Sequence, residues 1–234
     1  MEFQAKIKRI IPHNALDMHI PIPKCYCGIS LSNENFKGSR LKSVIKWLAS
    51  HGEQCCLVVG DDLQRWNIMI WNGVPYEEAR NIAKTEGEVF LEHLKPLLES
   101  YSSKQFQVTR WQELTKQTNF ECWQKKVNAM LSTETDLAES LETSAKNFLV
   151  RQINRGVQMQ IPPEKALTYS MNYIIEEIAV FGQLSQEGWC VDVYPGQELP
   201  ILKKIATSQY ENIPKPLRER ISIELKISQQ FLTG

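Results

Sequence analysis

The sequence predicts a Rossmann-like, doubly wound α/β fold: a mainly parallel sheet flanked by helices. Three observations carry that prediction. Short apolar runs alternate with long amphipathic ones in a βαβα manner. The run 54–60, Gln-Cys-Cys-Leu-Val-Val-Gly, is continuously apolar, as a strand covered on both faces must be. Gly28 and Tyr194-Pro195 lie at the carboxyl ends of predicted strands, where sheets of this class place their ligands.

The elements follow in order. Residues 23–29 read as a short strand ending at Gly28. A helix runs from about 39 to 50, with Leu41, Val44, Ile45 and Leu48 on one face. The strand at 54–60 comes next, then a long helix over 76–101 with a bend expected at Pro96. Residues 105–111 give a third strand. Helical patterning fills 120–155 and stops at Gly156. Pro162-Pro163-Glu164 opens a helix that reaches Phe181. A fourth strand covers 189–194, a short helix 198–207, and a last strand 220–227. No repeat, low-complexity tract or long linker interrupts this pattern, so residues 1–234 read as one domain.

Composition excludes several classes. The chain is 42% hydrophobic and 23% charged, which is globular rather than disordered. No apolar run is long enough to span a bilayer. The start, Met1-Glu2-Phe3-Gln4-Ala5-Lys6, lacks a signal peptide's apolar stretch, which points to the cytoplasm. Six cysteines and four histidines form no zinc pattern, so no metal is expected; reduced, mostly buried thiols are. Cys55 and Cys56 should face opposite sides of their strand. Lys and Arg balance Asp and Glu at 27 each, against the usual basic excess of a nucleic-acid binder. The charges are unevenly spread, with eight basic and three acidic residues in 1–52, against four and eight in 61–101.

Four short constellations could carry chemistry. In Gly28-Ile29-Ser30-Leu31-Ser32-Asn33, a glycine at a strand end lets a ligand approach the backbone. Ser30, ahead of a helix, is placed as a nucleophile or phosphate ligand. The same residues also make an ordinary turn with Ser30 or Ser32 as a helix cap. Tyr173 and Glu177 are four apart and share a helix face with Ala166, Ser170 and Phe181. A carboxylate on that stripe needs a cation; none lies within a helical turn, and a substrate ammonium group would serve. The alternative is a helix rim with Glu176 and Glu177 both solvated. Tyr194-Pro195 closes a strand, and Asn154-Arg155-Gly156 ends a helix. The chain has no G-x-G-x-x-G turn, and no motif links His13, His19, His51 or His93 to Ser30, so dinucleotide and Ser-His-Asp chemistry are set aside. Trp47, Trp66 and Trp111 fit core packing better than base stacking.

Taken together, in this order and spacing, the four segments resemble the cyclodipeptide synthase family. The runs Asp61-Asp62-Leu63-Gln64-Arg65 and Tyr173 to Phe181 are also similar to its members. The resemblance implies a domain like the catalytic domain of class I tyrosyl- and tryptophanyl-tRNA synthetases. It implies two aminoacyl-tRNAs as substrates, a cyclic dipeptide (a 2,5-diketopiperazine) as product, and ping-pong acyl transfer through aminoacyl- and then dipeptidyl-Ser30 esters. His13-Asn14-Ala15-Leu16 is no match for the synthetase HIGH signature, and neither ATP nor any other cofactor is expected. By resemblance, Ser30 is the nucleophile, Glu177 holds the α-ammonium group, Tyr173 assists it, and Tyr194 relays protons. Gly28, Asn33 and Asn154 line the substrate pocket. A helix N-terminus after Ser30 could stabilise the oxyanion.

Pro195 places the chain in the Tyr-Pro branch, although Asn33 is typical of the other branch. Better-known members carry a strongly basic helix for tRNA where 76–101 is acidic here. The expected tRNA contacts are therefore Lys6, Lys8, Arg9, Arg40, Lys42 and Lys46, with Lys203, Lys204, Arg218 and Arg220 as a second group. The competing readings are a non-catalytic aminoacyl-tRNA-binding domain and a small-ester esterase, the latter lacking a clear general base near Ser30.

Overall fold

The computed structural model describes residues 2–12, 21–102, 105–207 and 212–230. His13 to Leu16, compared above with a synthetase signature, and His19 lie outside them.

The core is one six-stranded sheet. Its strands are β1 (Glu2–Ile11), β2 (Ile22–Ile29), β3 (Gly52–Val59), β4 (Phe106–Arg110), β5 (Val191–Tyr194) and β6 (Ile221–Gln230), in the spatial order β1-β6-β5-β2-β3-β4. The pairs β2–β3, β3–β4, β2–β5 and β5–β6 are parallel. Only β1 runs antiparallel, against β6. The chain builds outward from β2 through β3 to β4, then returns to β5 on the other side of β2. The strand order therefore reverses between β2 and β5, and a crevice opens beyond their carboxyl ends. This is the mainly parallel, doubly wound sheet expected from the sequence.

Two helical layers cover it. The helices α1 (Gly38–His51) and α3 (Tyr76–Leu98) pack on one face; Leu41, Val44, Leu48 and Leu94 meet Cys25, Cys27, Ile29, Cys55 and Leu57 there. The other face carries α5 (Phe120–Thr133), α6 (Thr135–Asn154), α7 (Pro163–Gln186) and α8 (Pro200–Thr207), whose apolar sides close over Tyr26, Cys56 and Val58. Cys55 and Cys56 thus do face opposite layers. The thiols of Cys25 and Cys55 are 3.4 Å apart and unbridged, and Cys122 alone of the six is exposed.

Several elements differ from the sequence reading. The edge strand β1 is an addition to it. Its residues alternate, but Glu2, Gln4, Lys6 and Lys8 are exposed, so the run reads as surface. The helical patterning over 120–155 resolves into two helices, α5 and α6. Ser132 and Thr133 turn their hydroxyls back onto the carbonyls of Asn128 and Ala129, and the chain breaks at Glu134. A short helix α2 (Arg65–Asn72), closed by Gly73 at φ 69°, is a further addition, as are the one-turn helices α4 (Trp111–Thr115) and α9 (Lys215–Arg218). α3 runs through Pro96 and ends two residues later. Gly156, at φ 86°, stops α6 as expected. Gly182 allows α7 to lie against α5, because a Cβ there would sit 2.4 Å from the Trp123 ring. Among the described residues, no helix is long and apolar enough to cross a membrane.

Candidate active site

β2 ends at Ile29, so Ser30 is the first residue of the crevice. The chain then makes a tight turn, with Asn33 N–H donating to the Ser30 carbonyl, and a single 3-10 turn over Glu34–Phe36. Asn33 caps that turn through Asn35 N–H at 2.9 Å. Its amide donates to the Tyr194 hydroxyl at the same distance. Asn35 donates to the Pro195 carbonyl at 2.6 Å. These contacts join the loops after β2 and β5, the two strands at the switch point. The expected helix N-terminus is not directly behind Ser30: α1 starts only at Gly38, beyond the 3-10 turn.

α7 crosses this crevice and contributes Tyr173 and Glu177. Gln64, at the end of the 3-10 turn Asp62–Gln64, stands between Ser30 and Tyr173. Its side-chain amide lies 3.4 Å from Ser30 Oγ and 3.5 Å from the Tyr173 hydroxyl. Ser32 Oγ is 3.2 Å from Ser30 Oγ. The structure therefore brings Ser30, Asn33, Tyr173, Glu177 and Tyr194 together. Gly28 sits two residues below Ser30, where an added Cβ would meet only the Phe181 ring, at 4.0 Å. Asn154 is not brought in. It is exposed at the end of α6 and shares no described hydrogen bond with these side chains.

Glu176 and Glu177 are neighbours with opposite fates, and neither is a solvated rim residue. Glu176 is buried among Arg65, Trp66 and Trp111. Both arginine η-nitrogens reach its carboxylate, and the two indole N–H groups donate to it at 3.0 and 2.8 Å. This four-way anchor fixes the rotation of α7. One residue on is about 100° round the helix, which turns Glu177 into the crevice.

Glu177 is half-buried, and its carboxyl is pushed up to about 8. Burial is the main cause; the charges of Asp192 and Glu198 add to it and Arg220 opposes it. Arg220 is a correction to the sequence reading, which places it on the tRNA-facing surface. It is fully buried, bonded to Asp192 at 2.6 Å and to Glu198. Its guanidinium stacks over Phe181. One cation thus serves several buried carboxylates. Asp192 is pushed up to about 7 by burial first, with Arg220 pulling it down and Glu198 raising it further. Burial likewise raises the Tyr173 hydroxyl, with the charge of Glu177 second, and lifts Tyr194 to about 12 despite the bond from Asn33.

A pH dependence follows from these directions. Between roughly pH 4 and 8, Glu177 and Asp192 keep protons that the unfolded chain has already released. The native state binds more protons there, so stability should fall as pH rises across that window and level off above it. Thermal unfolding from pH 5 to 8 checks this. The decline should be shallower in Glu177→Gln, and an identical slope would refute the raised carboxyl.

A cavity of about 740 Å³ opens beside the loop after β2, lined in part by Ser32, Phe36, Gln64, Ile82, Glu86 and Phe90. It lies between the loop after β2 and the inner face of α3. Among the described residues, no group of three His, Cys, Asp or Glu side chains could hold a metal ion.

Comparison with known proteins settles the kinship. The sequence profile of the cyclodipeptide synthase family matches residues 24–186, more than half of the chain. The chain belongs to the cyclodipeptide synthase family. Members of that family are aminoacyl-tRNA-dependent transferases that form cyclic dipeptides. A search of curated proteins found no match.

Among solved structures, a cyclodipeptide synthase from Fluoribacter dumoffii superposes with a TM-score of 0.80 at 22% identity, covering 98% of this chain and 100% of that one. The synthase from Candidatus Glomeribacter gigasporarum, bound to Phe-tRNAPhe, gives 0.69 at 14% identity, covering 94% and 93%. A Mycobacterium tuberculosis protein, described as showing that these enzymes are related to type I tRNA synthetases, gives 0.71 at 14% identity, covering 97% and 94%. These likenesses agree with the fold expected from the sequence.

Proposed function

We propose that this family member is a single-domain enzyme that makes a cyclic dipeptide from two aminoacyl-tRNAs through a covalent Ser30 ester. The observation that carries the reading is the meeting of Ser30, Tyr173, Glu177 and Tyr194 at the switch point of the sheet, from the loop after β2 and from the much later α7 and β5. Ser30 Oγ attacks the ester carbonyl of the first aminoacyl-tRNA, and the departing tRNA hydroxyl takes up a proton. One ester replaces another, so the barrier is met mainly by positioning rather than by ATP. Glu177 holds the α-ammonium group. A carboxyl raised to about 8 is also matched to receive that group's proton, which frees the amine to attack the second aminoacyl-tRNA. The resulting dipeptidyl ester closes on itself: its terminal amine attacks the carbonyl on Ser30, the ring forms, and the serine hydroxyl is restored. Tyr173 steadies the ammonium, and Tyr194, held by Asn33, carries protons between oxygens. Tyr194-Pro195 fits the Tyr-Pro branch. Charged tRNA as substrate fits a cytoplasmic enzyme.

The basic edge of the sheet supports a tRNA surface. Arg9 pairs in register with Glu224, which pairs with Tyr194, so β1 starts its basic run level with the site. Lys6 lies further toward the sheet's carboxyl end, opposite Lys226. Arg40, in the first turn of α1, stacks over Phe3 and joins this edge to the exposed Lys42 and Lys46. Lys8 and Arg9 also lie 3.9 and 3.8 Å from Glu224, so part of their charge is answered within the protein. In the second group, Lys204 is held by Asp136, while Lys203 is exposed. Charge reversal at Arg40, Lys42 and Lys46 should weaken tRNA binding and flatten its salt dependence by roughly one unit of log–log slope for each phosphate no longer neutralised. An unaltered slope in filter binding would move the tRNA elsewhere.

Mass spectrometry of medium from bacteria expressing the protein tests the whole reading. A diketopiperazine absent from cells without the gene is expected. Well-folded, abundant protein with no such product would favour a non-catalytic aminoacyl-tRNA-binding domain.

A further inference from the structure

We propose that Gln64 is a catalytic residue whose side-chain amide stabilises the oxyanion formed when the Ser30 ester is made and broken. This inference rests on the serine-ester reading above and assigns a role within it. Gln64 is buried, yet its Nε2 makes only the two long contacts described, to Ser30 Oγ at 3.4 Å and to the Tyr173 hydroxyl at 3.5 Å. A buried donor with such loosely matched acceptors calls for an explanation. The amide is not free to turn away, because Asn67 donates to Gln64 Oε1 at 2.9 Å and so directs the NH₂ group at the nucleophile.

The geometry suits a transition state better than the resting enzyme. When Ser30 Oγ bonds to an acyl carbon, that carbon's second oxygen sits about one bond further from the serine. Placed on the Gln64 side, it falls within about 3 Å of Nε2, the distance an oxyanion donor needs. The bond changes balance. Ser30 Oγ forms a C–O bond as the carbonyl π pair moves onto oxygen, and Gln64 N–H donates to that oxygen without giving up its proton. The π bond then re-forms as the C–O bond to the tRNA ribose breaks, and the ribose oxygen takes the proton that Ser30 lost. A nearby helix N-terminus could have supplied this donation, but α1 begins eight residues after Ser30. The backbone N–H groups of Asn33, Asn35 and Phe36 already have acceptors within the turn.

The test is the rate at which Ser30 is acylated. Wild type, Gln64→Ala and the volume-preserving Gln64→Met are mixed with charged tRNA, quenched in acid and followed by intact-protein mass spectrometry, with tRNA affinity measured in parallel. Acylation should slow on the order of 100-fold in Gln64→Met, and in Gln64→Ala where that variant folds, while tRNA affinity stays within about twofold. Asn67→Leu, which leaves the amide in place but undirected, should slow acylation by about tenfold. Wild-type rates in Gln64→Met would overturn the assignment of Gln64 while leaving the serine ester intact. Product formation by wild type without any Ser30 adduct would overturn the ester reading and this proposal with it.

Discussion

Ser30→Ala should make no detectable cyclic dipeptide, a loss of at least roughly 1000-fold, while keeping its fold and its affinity for aminoacyl-tRNA. The reasons are local. Ser30 sits in the crevice at the end of β2, and its hydroxyl contacts other side chains of the site: Ser32, Gln64 and Tyr173. Removing it costs no core packing and no backbone hydrogen bond; the turn is held by Asn33 N–H on the Ser30 carbonyl, which alanine retains. Chromatography of products from purified protein and charged tRNA checks the activity. Circular dichroism and filter binding check that the rest is intact. A non-catalytic binding domain would bind equally well with either residue and make product with neither.

Glu177→Gln should lower kcat/KM by on the order of 2–4 kcal/mol, or about 30- to 1000-fold, with little change in tRNA affinity. In the protein alone this carboxyl is held up to about 8 by burial and by Asp192 and Glu198, so at pH 7 it is mostly protonated. An arriving ammonium group reverses that balance and draws the carboxylate into its charged form. Binding of an aminoacyl substrate at pH 7 should therefore release a proton from wild type and not from Glu177→Gln. Calorimetry in buffers of different ionisation enthalpy reads this directly. Activity within threefold of wild type in the variant would remove Glu177 from the ammonium site. The change is isosteric, and Glu176, which holds α7 through Arg65 and two indoles, is untouched, so a loss of fold is not expected.

The parts of this protein that are legible in its sequence are those decided by local patterning. The apolar run at 54–60 is the doubly covered β3, and the glycine after α6 is its left-handed stop. The four segments that suggest a site come to one crevice, apart from Asn154, whose helix ends in solvent. What is not legible depends on partners remote in the chain. Arg220 looks like a surface cation until Asp192 and Glu198 are placed against it, 28 and 22 residues away. Glu176 and Glu177 look alike on paper; Arg65, Trp66 and Trp111, all far earlier in the chain, decide which one is anchored in the core. β1 carries the alternation of a strand, but its exposed charges make it indistinguishable from a polar tail until β6 pairs with it. Gln64 stands inside a noted run and still carries no signal, because its significance lies in the direction Asn67 gives its amide.

The most direct test of the central claim is to trap the intermediate. Wild-type protein mixed with aminoacyl-tRNA carrying a labelled amino acid is quenched in acid, digested and sequenced by mass spectrometry. The account predicts the label as an ester on Ser30, absent from Ser30→Ala and discharged into cyclic dipeptide when a second charged tRNA is added. Cyclic dipeptide formed at full rate with no label on Ser30 would contradict it.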